Sequence, residues 1–433
     1  MTAPAALTWI KLPKPSGAPR TLHLNTSSNG GGVSEILTAI TAHADLNDAA
    51  SGWGVLGGSD RFYDFTKNLH HLMHGRGSPD RLKLPNEVDV YRRTLAVVLP
   101  DLLAVLRPSD TVILHDPQTL GLAIGLREHV SRVYWHCHVG SMTDNRMVKE
   151  AIWTFFDEDF AALNGILVAD RKYVSGAPAR KVVEISPAIW SLSPKNAPLS
   201  HVETNSRLDE IGLFGPGSVR SDVGRLWQTH PLPNDALAVL QVSRWDPLKG
   251  MSSVLRVLQH LDNAIHVVLA GPDPSEVLDD PEGNEQLAET LQVWDNLPAE
   301  VRQRAHVVAL SSRDSVENAL RVNALQRRAD IVTQRSLEEG FGLTATEAML
   351  KGKPVVASRT GGLAKQIQDG QNGILVEPLD DDAFIGSVNA LARDATLRTH
   401  LGRHAAITAR QQYSLERLVN DYNTLTIPTK QRA

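Results

Sequence analysis

Short apolar runs rich in Val, Ile and Leu alternate along the chain with longer stretches of helical periodicity. That rhythm predicts an α/β protein in which parallel sheet is covered by helices. In the first half the strand runs lie near Thr21–Leu24, Trp53–Leu56, Thr111–His115, Val133–Val139, Ile166–Ala169 and Val182–Ile185. The stretch from Asn196 to Asp235 is irregular, rich in Gly, Pro and Ser, and reads partly as a linker. A second series of strands follows: ALAVLQVS, AIHVVLAG, AHVVAL, IVTQ, PVVAS and GILVE. The pattern predicts two α/β units in tandem, near 1–225 and 236–415, with a helical tail. Two doubly wound sheets in tandem put a ligand cleft at the carboxyl ends of their strands.

Composition changes this picture little. A chain of 433 residues, 42% hydrophobic and 21% charged, suits two packed domains. A net charge of −5 gives no electrostatic ground for nucleic acid or an anionic membrane as partner. The single cysteine, Cys137, allows no intrachain disulfide and fits a reducing compartment. The opening MTAPAALTWIKLPKP lacks the basic start and apolar core of a signal peptide. The longest apolar stretch, LAVVLPDLLAVL, is broken by Pro100 and Asp101. A cytoplasmic location is the expectation, with small-molecule sugars and a nucleotide as partners and a homodimer as an option.

Four clusters carry candidate chemistry. In IVTQRSLEEGFGLTATEAMLKGKPVVAS a strand runs into a loop, then a helix begins near Leu343. Gly340 and Gly342 let backbone approach a ligand. The helix start points free N–H groups at the loop, which suits an anion. Glu339 lies in the loop and Glu347 about one turn into the helix. Either acid alone reads as a helix-start or solvated residue. In this setting the pair suits a ligand with two polyol parts joined by an anion, the layout of a sugar nucleotide.

The second cluster is VSRWDPLKG, where Arg244 and Lys249 follow the first strand of the second unit. An Arg fork and a Lys point charge there would neutralise a diphosphate without a metal. Solvated surface roles are the alternative. The third is LNTSSNGGGVSEIL, whose Gly31 and Gly32 sit in a glycine turn before a helix, another backbone anion cradle of weak specificity. In the fourth, His136 and His138 of HCH project from one face of a strand end. No third ligand follows at familiar zinc spacing, so no metal is assigned. HDPQ, with Asp116 and Gln118, ends another strand and faces the same cleft in this reading. Asp279–Asp280 and Asp380–Asp382 resemble metal motifs only superficially; the second run opens a helix and reads as a cap.

Together these motifs resemble retaining glycosyltransferases of the GT-B architecture, in the family-four group: two Rossmann-like doubly wound domains facing across a cleft. Glu339-Gly-Phe-Gly and Glu347 match that group's paired-glutamate motif, and Arg244 with Lys249 its basic pair. The stretches FTKNLHHLMHG, VILHDPQTLGL, YWHCHV and ISPAIWSLSPKN are similar to the trehalose synthase and trehalose phosphorylase branch. The chain departs from the pattern around Asn205–His230 and in the acidic loop after Gly271.

The resemblance implies a donor of the nucleotide-glucose type, ADP- or UDP-glucose, and glucose as acceptor. It implies that Arg244 and Lys249 hold the diphosphate, that Glu347 accepts from ribose, and that Glu339 and His138 contact the donor sugar. It assigns the backbone from Gly340 through Phe341, Gly342 and Leu343 to Thr344 to sugar and phosphate, and Gly31 and Gly32 to the phosphate. Asp116 and Gln118 become acceptor candidates. No cofactor is required, and any magnesium would be dispensable. A C-terminal helix over 416–433 would pack back toward the first domain. The implied reaction is glucosyl transfer with retention, giving trehalose. Alternatives are a phosphorylase, a GT-B transferase with another acceptor, a sugar-nucleotide epimerase, and a non-catalytic binding protein.

Overall fold

The computed structural model describes residues 6–12, 20–28, 32–47, 50–75, 77–140, 145–177, 182–215, 222–276 and 281–426. The chain divides into two compact units, Met1–Ala188 with Leu415–Ala433, and Ile189–Ser414.

The first unit is a seven-stranded sheet: β1 (Ala6–Lys11), β2 (Thr21–Asn25), β3 (Ser51–Gly57), β4 (Thr111–His115), β5 (Arg132–Cys137), β6 (Gly165–Val168) and β7 (Val182–Glu184). Their spatial order is β1-β3-β2-β4-β5-β6-β7. All neighbours are parallel except β1, which runs antiparallel on β3. The inner strands are buried on both faces, as apolar runs without alternation predict. The helices Asp60–Met73 and Pro85–Leu103 cover the sheet with Phe62, Phe65, Leu69, Tyr91, Leu95 and Val98, all in one buried cluster with Leu114 and Trp135.

The second unit holds β8 (Gly224–Trp227), β9 (Leu237–Val242), β10 (Ile265–Pro272), β11 (Ala305–Leu310), β12 (Ile331–Gln334), β13 (Val355–Ser358) and β14 (Ile374–Val376). Their order is β14-β13-β12-β9-β10-β11-β8, with only β8 antiparallel. Apolar residues cover both faces of this sheet in two clusters.

The unit boundary lies at 188/189, not in the expected linker between 225 and 236. Within the irregular stretch Asn196–Asp235, Leu208, Ile211, Leu213 and Val223 are at most 2% exposed and pack with Val268, Leu310 and Leu325 of the second unit. A capping box, Ser200 with Glu203, starts the helix His201–Glu210 inside that stretch. The C-terminal helix Leu415–Thr426 groups with the first unit. Its Arg417 donates to the carbonyls of Ser186 and Pro187 at 2.7 and 3.0 Å. The rest of the expected tail, 427–433, lies outside the described residues. Among the described residues, no helix is long and apolar enough to cross a membrane.

Candidate functional site

In the second sheet β9 has β10 on one side and β12 on the other, so the winding reverses between β9 and β12. The loops that leave these two strands start side by side, where open α/β sheets bind ligands. They are the loops carrying SRWDPLKG and SLEEGFG. Gln241 joins them: its Oε1 accepts from the Arg335 N–H at 3.1 Å and its Nε2 donates to the Lys249 carbonyl at 2.7 Å. The Leu337 N–H donates to the Leu248 carbonyl at 2.7 Å.

This stitching brings Lys249 and Glu339 together. The Lys249 Nζ lies 2.8 Å from both carboxylate oxygens of Glu339. Ser336 Oγ donates to Glu339 Oε2 at 3.0 Å. Behind it, the buried Gln334 amide donates to Ser243 Oγ at 2.8 Å and Ser336 Oγ at 3.1 Å, and accepts from Thr344 Oγ1 at 3.1 Å. Arg244 does not join this cluster: its side chain is 72% exposed and pairs with Asp246 at 3.3 Å.

Glycines set the shape of the loop. Gly342, at φ +89°, opens the helix Leu343–Leu350 without a side-chain cap, so Leu343 and Thr344 lie in its first turn, where N–H groups lack helical partners. Gly361, at φ +44°, presses against the loop: a Cβ there would sit 1.6 Å from the Glu339 carbonyl oxygen. The Gly362 N–H donates to that same oxygen at 3.2 Å. Gln366 Nε2 donates to the Phe341 carbonyl. The turn 339–342 is thus clamped by the segment after β13.

Glu347 is set apart from Glu339. It is 2% exposed, so the alternative of a solvated helix residue does not hold. Its Oε2 accepts from Gln326 at 3.2 Å and its Oε1 lies 3.7 Å from Lys195. Lys351 sits one turn on and donates to Asn196 Oδ1 at 2.9 Å, Gln326 Oε1 at 2.8 Å and the Glu347 carbonyl at 3.3 Å. Burial pushes the Lys351 ammonium down to about 7, against the upward pull of Glu347.

In the first unit the winding reverses between β2 and β4. At the ends of these strands and of β5 stands a row of histidines. His23 Nδ1 meets His115 Nε2 at 3.0 Å, and His115 Nδ1 meets His138 Nε2 at 2.7 Å. The His136 and His138 rings stack at 3.9 Å, and His136 Nδ1 meets the Tyr422 hydroxyl at 2.7 Å. Burial holds His23 and His138 down to about 3, and His115 and His136 well below the usual range. Asp116 takes a left-handed backbone, φ +60°, rare for a non-glycine. Its Oδ1 accepts from the His138 N–H at 2.9 Å. Burial raises its carboxyl to about 7, partly offset by that bond. Gln118 Oε1 is buried without a hydrogen-bond partner among the described residues. Strain, a shifted carboxyl and an orphan amide oxygen at a switch point are the marks of a functional edge.

Gly31 lies outside the described residues, as do Asp279 and Asp280; Gly32 is the first residue of the helix Gly32–Leu46. Asp380 caps the helix Asp381–Arg393, accepting from the Ala383 N–H at 2.9 Å. Sequence reasoning missed Lys195, Gln326, Lys351 and Gly361; it placed His115, with HDPQ, only at a strand end facing the cleft. Lys351 carried a signal, its i+4 spacing from Glu347, and Gly361 another, the RTGGL stretch after a strand. Lys195 carried none, because it reaches Glu347 from far along the chain.

Residues 23–175 match the family described as trehalose synthase, N-terminal domain. Residues 225–407 match the family described as glycosyl transferases group 1. The chain is 31% identical to a trehalose synthase of Rubrobacter xylanophilus over 93% of its own length and 88% of the relative's. It is 28% identical to a trehalose phosphorylase of Pleurotus pulmonarius over 86% of its length, but spans only 52% of that protein. The fold is also that of a UDP-forming α,α-trehalose-phosphate synthase from Burkholderia xenovorans, with a TM-score of 0.69 at 14% identity over 94% of this chain and 99% of the other.

Proposed function

The chain belongs to the trehalose synthase family of glycosyltransferases, and on that premise we propose how its residues form trehalose. The donor is a nucleoside diphosphate glucose and the acceptor is glucose. The observation that carries the reading is the Lys249–Glu339 pair at the switch point of the second sheet. It presents a cation and a carboxylate side by side: the ammonium for a phosphate oxygen, the carboxylate for sugar hydroxyls.

Lys249, with Arg244 swinging in from solvent, neutralises the leaving diphosphate. The first-turn N–H groups at Leu343 and Thr344 add to this, as a helix start favours an anion. Glu347 accepts from the ribose hydroxyls once Lys195 and Gln326 give way. From the first unit, His138 contacts the donor sugar, Asp116 and Gln118 the acceptor, and Gly31 and Gly32 the phosphate.

Retention allows a carboxylate nucleophile. Glu339 is a poor one here, because Lys249 and Ser336 already occupy its oxygens. Displacement on one face is the better-supported route. The bond from the anomeric carbon to the phosphate oxygen breaks, the acceptor oxygen bonds on the same face, and the acceptor proton passes to the departing phosphate. Lys249→Ala should slow the chemical step, read in single turnover, by on the order of 10²–10³. An unchanged single-turnover rate would overturn the assignment.

Similarity to a trehalose phosphorylase favours one second reading, with inorganic phosphate in place of the nucleotide. Release of glucose 1-phosphate from trehalose and phosphate would support it.

A further inference from the structure

We infer that His115, His136 and His138 form a binding site for one divalent transition-metal ion of the zinc class. The sequence offered two imidazoles, and the sheet supplies the third. His115 ends β4 in register with His136 on β5, and His138 follows two residues on. One ring nitrogen from each histidine lies within 4.8 Å of the other two.

The nitrogens divide into two sets. His136 Nδ1 is held by Tyr422, and His115 Nε2 by His23. That leaves His136 Nε2 for a common centre with His115 Nδ1 and His138 Nε2, which bond each other at 2.7 Å until an ion parts them. His136 Nε2 is buried and has no hydrogen-bond partner among the described residues. Metal-bound histidines are built this way, with the far ring nitrogen fixed by a neighbour so that the near one is aimed. With Zn–N bonds of about 2.1 Å, a tetrahedral ion spaces its ligand nitrogens roughly 3.4 Å apart. His115 Nδ1 and His138 Nε2, now 2.7 Å apart, must open toward that value, and the ligand nitrogens of the three histidines already lie within 4.8 Å of one another. Neutral imidazole is a ligand for zinc, cobalt, nickel and copper ions and a poor one for magnesium. Cys137 belongs to the core cluster on the other face and takes no part.

Three protein ligands leave the fourth position open to water or another oxygen ligand. His138 is only partly buried, so an ion enters from its side. If the sugar contact proposed above holds, a bound ion withdraws His138 from the donor, and zinc inhibits transfer. The binding site itself does not depend on that reading.

The test is titration of the metal-free full-length protein with Co²⁺, read by its visible d–d bands. The inference predicts one equivalent with the intense bands of four-coordinate cobalt, displaced by Zn²⁺. The bands are lost in His136→Gln and in His115→Gln, each checked for folding by its thermal melt. Tyr422→Phe keeps the three ligands and weakens binding by about 10- to 100-fold. Absence of these bands in the wild type would overturn the inference whether or not the variants fold. So would equal Co²⁺ affinity in a folded His136→Gln, which would place the ion on helix-surface pairs such as His70–His74 or His400–His404. Zinc binding without inhibition would leave the site standing and count against His138 as a sugar contact.

Discussion

At the scale of residues, the two glutamates of SLEEGFGLTATE do different work. Glu339 sits in the loop with Lys249, while Glu347 is buried against Gln326 and Lys195. Glu347→Ala should raise the dissociation constant for nucleotide alone by roughly tenfold, the worth of one charge-assisted hydrogen bond. Glu339→Ala should leave nucleotide binding near wild type and slow transfer. Calorimetric titration beside a rate assay separates them, and equal loss of nucleotide binding in both would refute the division. Gly361 gives a second case. A Cβ there meets the Glu339 carbonyl at 1.6 Å, whereas one at Gly370, also at positive φ, meets nothing within 4 Å. Denaturant unfolding should show Gly370→Ala costing roughly 1 kcal/mol, the strain of a left-handed residue. Gly361→Ala should cost more and also slow transfer by displacing Glu339. The meeting of the loops that carry Lys249, Glu339 and the glycines was legible because local spacing encodes a strand–loop–helix, whereas Arg244 stays in solvent beside Asp246. The burial of Glu347 was not, since Lys195 and Gln326 come from distant segments.

At the scale of elements, the parallel strands were legible and the two antiparallel edges were not. β1 and β8 stand outside the alternation of strand and helix; β1 is half exposed, and β8 lay in a stretch rich in glycine and serine. Within β10 and β11 a histidine pair, His306 buried and His266 half-buried, makes a pH prediction. His266 Nδ1 meets His306 Nε2 at 3.1 Å, and His306 Nδ1 meets Gln228 Oε1 at 2.9 Å. Burial lowers His266 to about 4 and His306 to about 3. Both pKa values are depressed in the fold, so between about 6.5 and 4 the unfolded chain binds protons that the native pair refuses. Stability therefore falls as pH drops through that window, on the order of 1 kcal/mol per pH unit for the buried His306 and less for the half-buried His266, which solvent screens. Thermal melts from pH 7 to 4.5 should show the double variant His266→Gln/His306→Gln losing less stability on acidification than the wild type. Parallel pH profiles would rule the pair out as the source.

At the scale of the molecule, two α/β units with separate cores follow directly from the rhythm of the sequence. The boundary did not, because a stretch of glycine, proline and serine between strands still places Leu208, Ile211 and Leu213 against the second sheet. The chain's return through Leu415–Thr426 to the first unit is settled by tertiary partners such as Tyr422 with His136, beyond the reach of local pattern. Each sheet brings the ends of its first strands together at a reversal of winding, and the candidate chemistry lies there in both. The central claim is glucosyl transfer from a nucleoside diphosphate glucose to glucose. The most direct measurement incubates the protein with ADP- or UDP-glucose and glucose, and follows nucleotide release and the anomeric NMR signals together. One nucleoside diphosphate should be released per α,α-trehalose formed, dependent on glucose and slowed on the order of 10²–10³-fold in Lys249→Ala. Silence with every nucleotide sugar, alongside glucose 1-phosphate released from trehalose and inorganic phosphate, would contradict it.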